Sequence, residues 1–155
     1  MDSNARRALI DKYKDGYRVV EQALAGAAEA ELDARPAPGK WSPRQIVHHL
    51  ADSEMTAAIR LRLLLTEDRP VITAYDQDEF ARRLAYDRPI DASLAAFKAA
   101  RETTGEILDR LADADWQREG THSELGRYAV TTWLEIYAAH AHTHAEQIRR
   151  ARAAA

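Results

Sequence analysis

Cysteine is absent from this sequence, which excludes disulfides and thiolate ligands. A metal ion would have to rest on His, Asp or Glu, and thiol chemistry would need a thiol from outside the chain. Aromatic residues are scarce, at 7%, and Ala supplies much of the 46% apolar content. Small residues of high helix propensity favour closely packed helices over sheet. An excess of positive charge is also missing: the formal charge is −3 at pH 7, with Arg and Lys scattered among Asp and Glu. Such a chain offers no basic field to a phosphate backbone, so nucleic acid is not an expected partner. No segment approaches the roughly 20 apolar residues that a membrane span requires. The opening Met1-Asp2-Ser3-Asn4-Ala5-Arg6-Arg7 runs into charge rather than an apolar stretch, so no membrane partner is expected and a cytoplasmic location follows by default.

With 155 residues and no low-complexity linker, the chain reads as a single domain, 1–155, with one sizeable core. Leu9, Tyr13, Tyr17, Val20, Leu24 and Ala27 recur at helical spacings and predict a first helix over 2–28, mildly weakened by Gly16. The stretch 35–40 is a loop. Ser42-Pro43-Arg44-Gln45 then combines a Ser cap, Pro at the first helical position and a Gln placed for a capping box, opening a second helix to about Thr66. Pro70 begins a long connection through Tyr75-Asp76-Gln77-Asp78 with room for a short helix over 79–84. A third helix, capped by Asp91, runs to about Leu111, with Thr103-Thr104-Gly105 as its weak middle. Residues 120–126 read as a loop. Thr132-Trp133-Leu134-Glu135 has capping-box spacing and opens a fourth helix that ends near Arg149 and Arg150. The expected fold is an all-α four-helix bundle with a long crossover after the second helix.

The six His carry most of the chemical information. Residues four apart on a helix differ by about 40° of rotation, so His140 and His144 project side by side, whereas His142 points about 200° from His140. The pair continues the stripe Trp133, Tyr137, His140, His144, Ile148. On the second helix Ile46, His49, Ser53 and Ala57 share a stripe, and His48 is turned about 100° away. Two imidazoles from one helix and one from a facing helix make a three-nitrogen site with an open position for water or substrate. The expected metal ligands are therefore His49, His140 and His144, while His48, His122 and His142 read as solvent-facing or loop residues. Core imidazoles satisfied by Tyr, Asp or water are the competing reading. A zincin motif would need Glu where Ala141 stands, and Glu119-Gly120-Thr121-His122 matches di-iron spacing only within a loop that has no second copy. Asp52 and Gln147 lie one helical turn from the ligands, where they could orient an imidazole. Trp41, Tyr75, Tyr86, Trp116, Trp133 and Tyr137 read mainly as core, with a pocket wall as the alternative.

The run Trp41-Ser42-Pro43-Arg44-Gln45-Ile46-Val47-His48-His49-Leu50-Ala51-Asp52-Ser53-Glu54 resembles the opening of the second helix in the DinB-like (YfiT-like) metal-binding bundles. His140-Ala141-His142-Thr143-His144-Ala145-Glu146-Gln147-Ile148 resembles the C-terminal motif of that family, and Tyr75-Asp76-Gln77-Asp78 a segment after its second helix. The resemblance implies that His49, His140 and His144 are the ligands of a divalent metal ion. It also implies a metal-dependent transferase that adds a low-molecular-weight thiol to an electrophilic small molecule, and, by the habit of the family, a homodimer. Zn²⁺ is the default for three imidazoles, with Ni²⁺ and Fe²⁺ also suited to nitrogen. The alternative is a non-catalytic metal-binding or accessory protein of the same fold.

Overall fold

The computed structural model describes residues 1–155. Apolar side chains at helical spacing give four long helices, and two short helices and three short strands fill the connections. In chain order these are α1 (Ser3–Leu24), α2 (Glu29–Leu32), α3 (Pro43–Thr66), β1 (Val71–Ile72), α4 (Gln77–Arg83), α5 (Asp91–Leu108), β2 (Glu119–His122), β3 (Gly126–Ala129) and α6 (Val130–Arg152). The helix starts follow local chemistry. Asp2 accepts the Ala5 N–H at 2.8 Å at the head of α1. At the head of α3, Ser42 and Gln45 exchange side-chain and backbone hydrogen bonds with Pro43 in the first turn. Asp76 caps α4 by accepting from the N–H groups of Asp78 and Glu79.

The four long helices form a ring in which α1 packs on α6 and α5, and α3 packs on α6 and α5. This is the four-helix bundle expected from the sequence, with the long crossover running from α3 through β1 and α4 to α5. No helix is long and apolar enough to cross a membrane. The core falls into two apolar clusters. One gathers Tyr13, Leu61, Leu64, Trp133 and Leu134; the other gathers Val20, Ile46, Leu50, Phe97 and Ile148.

Between these clusters one arginine touches every long helix. Arg101 of α5 donates through Nε to the Tyr13 carbonyl of α1 (2.6 Å), through Nη1 to the Glu54 carboxylate of α3, and through Nη2 to the Tyr137 carbonyl of α6 (2.7 Å). The Tyr13 hydroxyl donates to the other Glu54 oxygen. Gly16, a mild weakness on helix propensity, faces this junction: a Cβ there would lie 2.5 Å from Arg101 Nε and 2.8 Å from the Ala141 Cβ. Only hydrogen leaves room for the guanidinium to pass.

Several expectations need correction. Residues 120–126 are not a plain loop: β2 and β3 form an antiparallel hairpin, and β1 adds to it in parallel, giving the order β1-β2-β3. Gly120 is needed there because a Cβ would sit 2.2 Å from the Pro70 carbonyl. The last helix begins at Val130, not at a Thr132 cap. β3 runs straight into it from Ala129, which makes no side-chain cap, and the first N–H of the helix, that of Val130, is satisfied by the Arg118 carbonyl at 3.0 Å. The first helix stops at Leu24, with Gly26 at φ +67° just beyond. The third starts with Asp91 as its first residue and ends at Leu108.

Candidate metal centre

His49 comes from the first half of α3 and His140 and His144 from the middle of α6, two neighbouring helices that pack directly on each other. Helical rotation sets His140 and His144 on one face. Their Nε2 atoms are 3.1 Å apart, and His49 Nε2 is 3.3 Å from His140 Nε2. The three rings can each offer a nitrogen such that all three atoms lie within 4.8 Å of one another. His49 is buried and the other two are half-buried.

These contacts cannot all be two-centre hydrogen bonds. His144 Nδ1 donates to Gln147 Oε1 at 2.8 Å, so in the neutral ring Nε2 carries a bare lone pair. His140 Nε2 faces both neighbours, so a single proton there would have to be shared between two acceptors, and a lone pair there would leave His144 Nε2 opposite another lone pair. Three lone pairs directed at a common cation meet no such conflict. Metal–nitrogen bonds of about 2.0–2.1 Å in tetrahedral geometry imply nitrogens on the order of 3.3 Å apart, close to the two separations made by His140 Nε2. His49 Nδ1 is buried without a partner. That ring is held by packing instead, with the Trp41 ring centroid 4.9 Å away.

Burial also sets the protonation state. It holds the His49 pKa down at about 3, with a further push from His144. Burial, then His144, His49 and Arg101, take His140 well below its ordinary value. His144 is lowered by burial and partly restored by its bond to Gln147. All three imidazoles are neutral at pH 7, which is the form that ligates metal.

The triad borders two cavities. On the His144 side lies an open cleft of about 600 Å³ bordered by Lys40, Trp41, Ile46, Gln147 and Arg150. On the side of His49 and His140 lies a smaller one of about 170 Å³, bordered by Ser53, Arg60, Tyr75, His122 and Tyr137. The nearby carboxylates are engaged or exposed. Glu54 is bound to Arg101 and Tyr13, Asp52 accepts the Tyr86 hydroxyl at 2.6 Å, and Asp78 and Glu124, both exposed, border the larger and the smaller cavity respectively.

The other three His depart in part from expectation. His48 is fully buried rather than solvent-facing: Nδ1 is 2.8 Å from Ser93 Oγ and Nε2 accompanies the Arg88 carbonyl at 2.9 Å. His122 is buried on β2 and borders the smaller cavity. His142 is half-buried, with Nε2 3.0 Å from the Lys12 carbonyl. Sequence reasoning missed Arg60, although it stands 11 positions after His49, about three turns and the same stripe of the helix. Of the aromatics, Tyr86, Trp116, Trp133 and Tyr137 are buried core residues, and Trp41, Tyr75 and Tyr137 also wall the two cavities.

A family model described as the DinB superfamily matches residues 12–148. This chain belongs to the DinB superfamily. Among its relatives, an Oceanobacillus iheyensis protein named "Putative metal-dependent hydrolase" is 35% identical over 139 residues, covering 90% of this chain and 81% of the relative. A Geobacillus thermodenitrificans protein of the same name is 33% identical over 146 residues, covering 91% and 79%. The solved structure of YfiT from Bacillus subtilis, described as "a probable metal-dependent hydrolase with an unusual four-helix bundle topology", superposes with a TM-score of 0.89 at 27% identity, covering 96% of this chain and 86% of that one. The DinB fold and the four-helix bundle read from the sequence thus agree with independent likeness along nearly the whole chain.

Proposed function

We propose that His49, His140 and His144 hold one divalent cation, and that the protein uses it as a transferase joining a low-molecular-weight thiol to an electrophilic small molecule. The observation that carries this reading is the convergence of three neutral imidazoles that border two cavities, with no carboxylate among the converging groups. Zn²⁺ suits the donor set, as do Ni²⁺ and Fe²⁺. When bound, such an ion supplies the fall in thiol pKa that yields a thiolate at neutral pH.

The chain's own residues bind and orient. Gln147 fixes the His144 tautomer through Nδ1 and leaves Nε2 free. Trp41 packs on His49 and walls the larger cleft, where a small molecule of several carbons fits beside His144. A thiol starts from a pKa near 8.5 and needs little further activation, so the lack of a placed base suits sulfur better than water. In the transfer a bond forms between sulfur and the electrophilic carbon, the leaving group departs with its electron pair, and the thiol proton passes to bulk buffer.

The names carried by the relatives favour a second reading, metal-dependent hydrolysis with water as the nucleophile. Metal quantification on protein purified without an affinity tag, followed by assays with a panel of thiols and a bromomethyl electrophile, separates the readings. We expect metal in the wild type, its loss in His144→Ala with little change in helicity, and thiol consumed in step with electrophile. Full metal occupancy in His144→Ala contradicts the site. Metal-dependent product formed from water alone establishes hydrolysis, and bound metal with no turnover of either kind establishes a binding protein.

A further inference from the structure

Three arginines are buried in this fold: Arg44, Arg60 and Arg101. Arg44 is bridged to Asp33 and Glu29, and Arg101 to Glu54. Arg60 meets no carboxylate. Its Nη1 donates to the Tyr137 hydroxyl at 3.1 Å and its Nη2 to the Thr73 carbonyl at 2.8 Å, and its guanidinium lies 5.8 Å from the Tyr75 ring centroid. A buried cation balanced only by neutral groups is costly to the fold, and an anion that reached it would offset that cost.

The surroundings show where that charge would sit. Side chains on a helix lean toward its N-terminus, so Arg60 extends back along α3 in the direction of His49. One tyrosine separates it from the triad: Tyr137, whose hydroxyl it contacts, has its ring centroid 5.9 Å from that of His140. The cavity of about 170 Å³ is bordered by Arg60 and by both His49 and His140, and its volume equals on the order of five waters. His122 adds a second donor. Its Nδ1 accepts from the backbone N–H groups of Glu124 (3.2 Å) and Leu125 (3.4 Å), which leaves the ring proton on Nε2. That nitrogen has no hydrogen-bond partner within the protein. The one carboxylate at this cavity, Glu124, is exposed.

We propose that this cavity is an anion subsite, in which Arg60 and the His122 Nε2–H bind the carboxylate of an acidic small-molecule substrate beside the histidine triad. Its purpose rests on the function proposed above, but its existence does not. A carboxylate held here satisfies the guanidinium and keeps the rest of the molecule between the triad and the larger cleft. The substrate class is thereby narrowed from any thiol or electrophile to one that carries a carboxylate a few bonds from its reacting atom.

Binding to the metal-free protein tests the subsite without any contribution from the triad's ion. Chemical-shift titration with propionate, and with the neutral propionamide of the same shape, reads affinity and location together. We expect propionate to bind with shifts on β2 and around Tyr75, and propionamide to bind roughly ten- to a hundredfold more weakly, the range for a charged hydrogen-bonding partner. Arg60→Gln should erase that preference, while its zinc stoichiometry, measured separately, stays that of the wild type. Glu124→Gln, an exposed change with little bearing on folding, should tighten propionate about two- to threefold by removing a like charge and leave propionamide unchanged. Equal affinity for the two probes, a preference that survives Arg60→Gln, propionate shifts confined to Lys40 and Arg150, or an unaltered propionate affinity in Glu124→Gln each overturn the proposal. Should the metal site itself fail its test, these titrations still decide the subsite, and a failed subsite leaves the metal content untouched.

Discussion

The bundle buries two polar clusters, one around Glu54 and Arg101 and one around His49, His140 and His144, and they differ in how many of their polar groups are satisfied from within the chain. The Arg101 guanidinium, both Glu54 oxygens and the Tyr13 hydroxyl all have partners, and those partners come from all four long helices. At the triad, Nε2 atoms crowd one another, His49 Nδ1 has no partner, and Arg60 close by lacks a carboxylate. A closed network serves the fold; an open one adds nothing to the fold until something else arrives. The two share α3 and α6: the first cluster ties Glu54 of α3 and the Tyr137 carbonyl of α6 to a single guanidinium, and the triad takes His49 from α3 and His140 and His144 from α6.

Breaking the closed cluster should have the largest effect. Arg101→Ala leaves the Glu54 carboxylate buried without its cation, and the expected loss of stability is about 3–5 kcal/mol, read by denaturant unfolding. A loss under about 1 kcal/mol, the scale of a surface ion pair, would erase the distinction drawn between the clusters.

Acid should sharpen the comparison at the next level. Burial keeps the triad imidazoles neutral and their pKa values below 6.5, with His49 at about 3. As pH falls below 6.5 the unfolded chain takes up protons that the folded one refuses, so stability present above pH 6.5 declines as pH approaches 3. Thermal melts of metal-free protein should show this decline, with a smaller slope in the His49→Gln variant, which has one fewer buried imidazole. Identical slopes in the two proteins would mean that burial does not hold His49 neutral.

The smallest effect is expected where the open cluster is truncated. In metal-free protein His144→Ala should change stability by no more than about 1 kcal/mol, because the half-buried ring contributes no closed network to the fold. A loss comparable to that of Arg101→Ala, measured under the same conditions, would make His144 a structural residue.

The helices and the three ligand candidates were legible in the sequence because both depend on a 3.6-residue period, and that period persists over about three turns of α3, from Ile46 to Ala57, and about four of α6, from Trp133 to Ile148. His48 was misjudged for a related reason. The rotation argument assumes one buried face, but α3 is packed against α5, α6, α4 and α2 at once, so adjacent residues His48 and His49 are both buried. The hairpin was illegible because strands of four residues, Glu119–His122 and Gly126–Ala129, carry too few alternations to register, and the two-residue β1 carries none. Arg101 and Glu54 read as ordinary charged residues on helices; only packing brings together groups 47 positions apart. His122 was hidden with its strand, since its role depends on a turn that points Nδ1 at the backbone of Glu124 and Leu125.

Titration of metal-free protein with Co²⁺, followed by its visible absorption, addresses the three-imidazole centre directly. Saturation at one ion per chain is expected, with the intense bands of low-coordinate nitrogen ligation, and their loss or marked weakening when His49, His140 or His144 is separately replaced by Ala. Undiminished bands and unchanged stoichiometry in any one of the three variants would show that the missing imidazole was never a ligand.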